Sequence, residues 1–242
     1  DMQNANYGMP SPHGYRTALR LMKLAEKFKL PVITLVDTVG AWPTFECEKL
    51  GQSEAIATNL TEMAGLKTPI ITLMVGEGGS GGALGICMGN VVGMLSGGYF
   101  GVISPEGAAS ILGRYNDAAH KAEQFPLDCQ ALATAQCIYA HQLKEMGVVD
   151  AIIWEADVDA SAAKETYTNF PVLKSRISAF VVKSLMALSD MNGEELVQQR
   201  FDKYRALGQF ATLDETGRKN AIESAKEAGT AGKKPRAAAA KP

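Results

Sequence analysis

Residues 76–83 read Gly-Glu-Gly-Gly-Ser-Gly-Gly-Ala and follow the apolar run PIITLMV at residues 69–75. Glycine serves where the backbone needs positive φ or where another group must come close. Four readings fit this stretch. The plainest is tight packing of the next helix against a neighbour. The second is a dinucleotide fingerprint, since Gly76-x-Gly78-x-x-Gly81 has the spacing. That unit places an acid roughly 20 residues on, at the end of the next strand. The following apolar runs, VVGML and YFGVIS, carry no terminal acid. No Gly-Lys-Ser/Thr is present, which excludes a P-loop. The third reading is a nucleophile elbow at Gly78-x-Ser80-x-Gly82. Ser80 would attack, and a histidine held by an acid would take its proton; Asp117, His120, Asp128 and His141 follow in the chain. The fourth uses the backbone alone. Successive N–H groups at a helix start, reinforced by the dipole, stabilise developing negative charge. A second donor would come from Val39-Gly40-Ala41, the turn ending the neighbouring strand on the same edge of a parallel sheet, where ligands bind.

Apolar spacing predicts the elements that must hold these turns. Residues 15–28 read as a helix with Ala18, Leu21, Met22, Ala25 and Phe28 on its inner face. Residues 32–36 and 69–75 are short buried strands. A helix over 51–64 puts Ile56, Leu60 and Met63 inward, and a small-residue helix starts at Ala83. Strands follow at 91–95 and 99–103, and Ser104-Pro105-Glu106 opens a helix with serine as N-cap. Residues 118–146 read as helical with a break near Pro126, residues 148–154 as a last strand, and 172–188 and 194–207 as final helices around Asn192-Gly193. Strand and helix alternate, so the class is α/β with mostly parallel strands. One domain over residues 1–210 and a low-complexity tail over 211–242 are expected.

Composition narrows the function classes. Lys+Arg number 24 against 26 Asp+Glu, with no dense basic cluster before the tail, which argues against a nucleic-acid surface. Cys47, Cys87, Cys129 and Cys137 form no CxxC pair and have no matching histidines, so a zinc site is not expected. Their scatter fits a reducing compartment. No apolar run reaches the ~18 residues of a membrane span, and no signal peptide is visible. The chain opens at Asp1 on a polar stretch, so a leader or larger N-terminal part is expected to be missing.

Five ordered blocks, NYGMPSPHGYRTALRLMKLAEKF, DTVGAWP, GQSEAIATNL, GEGGSGGALGI and ISPEGAASIL, resemble the alpha-subunit family of acetyl-CoA carboxylase carboxyltransferase. The resemblance covers residues 6–155 strongly and reaches 210 more weakly. It implies a crotonase-like (ClpP/crotonase) α/β fold of repeated β-β-α units with C-terminal helices, and an active site between alpha and beta subunits. Carboxybiotin, attached to a biotin carboxyl carrier protein, would release its carboxyl group as carbon dioxide for attack by the enolate of acetyl-CoA, giving malonyl-CoA. Biotin's own nitrogen would serve as the base. The beta subunit would bind acetyl-CoA and carry a zinc finger; this chain would hold no metal. Biotin carboxylase completes the larger assembly, and an alpha2beta2 heterotetramer is implied. Backbone N–H groups of Gly81, Gly82 and Ala83 would form the oxyanion hole. Gly40, Ala41, Gly78 and Gly79 would line the carboxybiotin end.

The chain departs from the family pattern at several places. Val39 stands where the family has proline in DTPGA; residues 42–50 and 114–137 diverge, and residues 156–163 replace a PLGGAH segment. A serine hydrolase using Ser80 and a non-catalytic assembly subunit are therefore the alternatives. Asp37 is expected to bond backbone, Glu77 to orient a backbone donor or meet a partner, and Glu106 to favour a helix N-terminus. Cys87 and Cys137 read as inert core residues, Arg16 as solvated, and Lys203 and Arg205 as subunit contacts. The HGYRTALR and MNGEELVQQRFDKYRALGQF segments look closer to plant and algal forms, which favours the plastid stroma over a bacterial cytoplasm.

Overall fold

The computed structural model describes residues 5–155, 170–208 and 216. The chain divides into two units, Asp1–Leu207 and Gly208–Pro242, and the fold below is that of the first. The expectations for residues 156–163, and for all of the 211–242 tail but Thr216, fall outside the described residues.

The sheet is parallel throughout. Strand β1 (Val32–Thr38) pairs with β2 (Ile70–Gly79), β2 with β3 (Val91–Leu95), and β3 with β5 (Ala151–Ile153). Strand β4 (Tyr99–Gly101) joins beside the far end of β2. Residues 70–74 of β2 are buried without interruption, as a central strand covered on both faces requires. Each such Ile, Leu or Met side chain contributes roughly 1.5–3 kcal/mol by leaving water. On one face lie helices α1 (Pro12–Lys27), α3 (Gln52–Gly65, which follows the short α2, Phe45–Lys49), α4 (Ser80–Leu84) and α7 (Ala140–Glu145); α1, α3, α4 and α7 pack over Val36, Ile70, Met74 and Met94. On the other, Leu173, Ile177 and Phe180 of α8 (Phe170–Leu188) cover Leu73, Leu95 and Ile153.

Helix α1 starts at Pro12 rather than residue 15, because proline suits the first helical turn, where its missing N–H has no partner to lose. Its buried face is Tyr15, Ala18, Met22 and Ala25; Leu21 and Phe28, expected inward, are exposed. Helix α3 likewise buries Gln52, Ala55, Asn59 and Met63, leaving Ile56 and Leu60 only half-buried. Ser104 caps α5 (Pro105–Leu112) as expected, its hydroxyl accepting from the Gly107 N–H at 3.0 Å. Pro126 does not break α6 (Ala118–Ala135). The break comes after it, where half-buried Cys137 takes φ 54°, so this cysteine is a turn residue and not core.

The largest difference concerns the glycine stretch. Residues 76–79, read as a loop, continue β2, because β4 supplies a new partner: Glu77 opposes Tyr99, Gly78 opposes Phe100 and Gly79 opposes Gly101. A side chain at Gly78 would strike the Phe100 ring. Against β1 the register slips between Val36 and Thr38. There Asp37 offers a carboxylate in place of the ladder, accepting from the Glu77 N–H at 3.0 Å.

At the opposite end of the sheet, α9 (Gly193–Arg205) is tied down by polar contacts. Arg200 is 1% exposed and donates to the carbonyls of Leu66 and Thr68 and to Asn90 Oδ1. Burial pushes its pKa down to about 10, which leaves it charged at neutral pH. Lys203 pairs with Asp150, so it is spent inside the chain rather than on a partner. Arg200→Ala leaves two buried carbonyls without a donor. It is expected to cost about 3 kcal/mol of unfolding free energy, read as a lower denaturant midpoint.

Candidate functional site

The turn after β1 and the junction after β2 meet backbone to backbone. A Cβ at Gly79 would overlap the Val39 carbonyl, and one at Gly82 would overlap Gly40 and Ala41. Only glycine allows this approach. Thr38 fixes the turn: its hydroxyl donates to the Gly40 carbonyl at 2.8 Å and accepts from the Gly40 N–H at 3.2 Å. Gly40 has φ 154°, which a side chain tolerates poorly. The turn thus keeps its shape through Thr38 and Gly40 where the family proline is Val39.

Side chains absent from the sequence reading brace this junction. Buried Tyr15 donates its hydroxyl to the Gly82 carbonyl at 2.9 Å, and burial raises its pKa well above the usual phenol range. Asn59, fully buried, donates to the carbonyls of Tyr15 and Gly85, both at 3.1 Å. Gln52 donates to Pro10 and Trp42 carbonyls, at 2.9 and 3.2 Å, tying down both loops beside the turn. The signal for them was available, because Tyr15, Gln52 and Asn59 sit at the helical spacing of their apolar neighbours. A polar residue on a buried face must find partners.

Ser80 has φ 55° at the strand-to-helix turn, a strained backbone for a serine. Its side chain caps nothing; the N-cap is Gly79, without a side-chain bond. The elbow backbone is therefore present. However, no histidine lines the cavity that holds Ser80. His120 Nδ1 accepts from the Asn116 N–H, and His141 stacks on Tyr139, ring centroids 6.3 Å apart.

That cavity measures about 930 Å³ and is walled by Val39, Val102, Ile103, Pro105 and Ile138. Ser80, Glu77, Tyr99, Glu106 and Tyr139 supply its polar groups, and Ser104 completes the lining. Partial burial, then the carboxylates of Glu77, Glu106 and Asp37, raise the Tyr99 pKa, so the phenol stays protonated. Of the seven predicted site residues, none lines the cavity itself. Gly40 sits against it, and a Cβ placed there would lie 4.0 Å from Ser80 Cβ. Gly81 is half-buried, Gly82 and Ala83 are buried in the first turn of α4, and Gly78 and Gly79 are buried in β2. The first N–H groups of a helix have no partner within it. Among the described residues no group of acids, histidines and cysteines could hold a metal ion. A smaller hollow of about 430 Å³ lies on α1 alone, between Arg16 and Lys27, and contains none of these residues. Arg16 there is paired to Glu54 at 2.9 Å.

Two substitutions separate packing from exposure. Gly82→Ala should lower the melting temperature sharply and cost soluble yield, because backbone on both sides must move. Gly81→Ala, whose Cβ meets nothing nearer than Ile56 at 3.9 Å, should melt within a few degrees of the parent.

A family model described as acetyl co-enzyme A carboxylase carboxyltransferase-like matches residues 1–208. The acetyl-coenzyme A carboxylase carboxyl transferase subunit alpha of Geobacillus sp. (strain WCH70) is 47% identical over 212 residues, 85% of this chain and 58% of that protein. The subunit of the same name from Bacillus subtilis (strain 168) is 45% identical over 210 residues, 87% of this chain and 60% of that protein. The chain therefore spans about three-fifths of the length of the curated relatives it matches. Among solved structures, the transcarboxylase 12S hexamer core superposes with a TM-score of 0.61 at 16% identity, covering 86% of this chain and 34% of that one. A Pseudomonas malonate decarboxylase hetero-tetramer gives 0.55 at 16%, covering 90% and 75%. The fold is crotonase-like, and the chain belongs to the acetyl co-enzyme A carboxylase carboxyltransferase-like family.

Proposed function

We propose that this chain is the biotin-facing alpha component of a heteromeric acetyl-CoA carboxylase carboxyltransferase, spanning residues 1–210. The observation that carries the reading is the seam between the Val39–Ala41 turn and the Gly79–Gly82 junction. It sets two backbone segments side by side at the carboxyl edge of a parallel sheet, next to a large cavity, in a chain of this family.

A carboxylated biotin on a carrier protein supplies the carboxyl group, and acetyl-CoA receives it to become malonyl-CoA. This chain's part is electrostatic. We assign the developing oxyanion to N–H groups of Gly81, Gly82 and Ala83, which follow Ser80 of the cavity wall in the chain without lining the cavity themselves, and the biotin end to the backbone of Gly40, Ala41, Gly78 and Gly79. The cavity is large enough to admit a bicyclic urea, with apolar walls for its thioether ring and polar side chains for its polar edge. One preorganised donor of this kind is typically worth about 10²–10³ in rate. No paired acid and base is needed, and the cavity contains no histidine.

Partners follow from the same reading: a beta subunit with the CoA site and a zinc finger, the biotin carboxyl carrier protein and biotin carboxylase, in an alpha2beta2 core. No helix among the described residues is long and apolar enough to cross a membrane. The named relatives are bacterial, which favours a bacterial cytoplasm over a plastid stroma. The left-handed backbone of Ser80 favours a hydrolase as second reading, but the missing histidine leaves its hydroxyl without a base.

Malonyl-CoA formation, measured after co-expression with a beta subunit, tests this. Activity should need both chains and persist in Ser80→Ala within about tenfold, since a lost side-chain hydrogen bond costs about 1 kcal/mol. Ester cleavage by this chain alone, abolished in Ser80→Ala, would establish the hydrolase instead.

A further inference from the structure

The cavity floor carries a row of three side chains that the backbone seam does not use. Glu77 on β2 is the cross-strand partner of Tyr99 on β4. Tyr99 in turn bridges to Tyr139, just before α7. Directly opposed residues in a sheet project to the same face, and all three line the cavity. Adjacent strands lie roughly 4.8 Å apart, so neighbouring side chains of the row can reach one small ligand in the cavity they share.

The hydrogen-bonding capacity of Glu77 and Tyr99 is unspent. Tyr15, Tyr115 and Tyr204 all donate to protein acceptors. Among the described residues, the hydroxyl of Tyr99 and the carboxylate of Glu77 bond to no protein group; Glu77 uses only its backbone N–H, toward Asp37. An ionised carboxylate only accepts, while a neutral phenol can donate. The surrounding carboxylates and partial burial keep Tyr99 neutral. Along the row, then, an acceptor stands beside a donor. The complementary edge is a ring N–H beside a carbonyl or carboxylate oxygen, which is the polar edge of a cyclic urea.

We propose that Glu77 and Tyr99 hold the urea ring in this cavity, Glu77 accepting from its free N–H and Tyr99 donating to the adjacent oxygen. The inference rests on the carboxyltransferase reading and adds side chains to a site otherwise built from backbone. Fixing the ring from both sides would set its orientation before its oxygen meets the N–H groups of the glycine junction.

The test uses the chain assembled with its beta subunit and runs the transfer backward, from malonyl-CoA to free biocytin. Tyr99→Phe, which loses a hydrogen bond, and Glu77→Gln, which loses the carboxylate charge from one, should each raise the KM for biocytin about tenfold. Glu77→Ala should raise it further, since the glutamine oxygen still accepts. The KM for malonyl-CoA and the melting temperature should stay at parental values. Unchanged KM for biocytin in Tyr99→Phe and Glu77→Gln would overturn the proposal while leaving the carboxyltransferase reading intact. So would a joint shift of both KM values with a lowered melting temperature, which marks a structural role. A parental complex that transfers no carboxyl group would overturn both.

Discussion

Everything at the site depends on a contact in which no side chain takes part. Gly79 and Gly82 press against the backbone of residues 39–41 so closely that a single methyl group would force them apart. The contact joins two turns that are 40 residues apart in sequence but adjacent on the sheet edge, because β1 and β2 pair in parallel from Val32 and Ile70 onward. The crossover through α3 makes that adjacency possible, since parallel neighbours need a connection that returns the chain to the same end of the sheet. Tyr15 and Asn59 then clamp the junction from α1 and α3, so two helices, two strands and one short turn share one geometry.

A second constraint shapes the cavity. Strand β2 changes partner partway along, pairing with β3 through Met74 and with β4 from Glu77. Gly76 at the change of partner leaves room for the Asp37 carboxylate, which takes the Glu77 N–H on the β1 side. Strand β4 and the segment through Pro105 bring Tyr99, Val102, Ile103, Ser104 and Pro105 to the cavity that Ser80 also lines. A preorganised, partly enclosed site of this kind favours stabilisation of charge by fixed dipoles, which need not reorient as the reaction proceeds.

The sequence revealed the elements well and the site in part. The apolar runs at 32–36 and 69–75 announced β1 and β2, but only β2 is buried without interruption, over 70–74; β1 lies at the edge of the described sheet and leaves Ile33 and Leu35 exposed. Ser104-Pro105 announced a capped helix. The glycine stretch announced a close approach, and its partner turn was identifiable because both end neighbouring parallel strands. What stayed hidden was long-range. Glycines read as loop formers, so the continuation of β2 to Gly79 was invisible without β4 beside it. Leu21 and Phe28 have the spacing of an inner face, yet both are exposed. Tyr99 and Tyr139 meet only through a bridge between residues 40 apart, which no local pattern encodes. Pro126 and Cys137 show the same limit, since the helix end fell at the residue with positive φ and not at the proline.

The most direct measurement is a crystal structure of this chain in complex with a beta subunit and bound biocytin. The account predicts the urea oxygen within about 3.1 Å of a backbone N–H from the glycine junction or the Gly40–Ala41 turn, with Ser80 Oγ unmodified. A ring lodged elsewhere, or a covalent bond to Ser80, would contradict it.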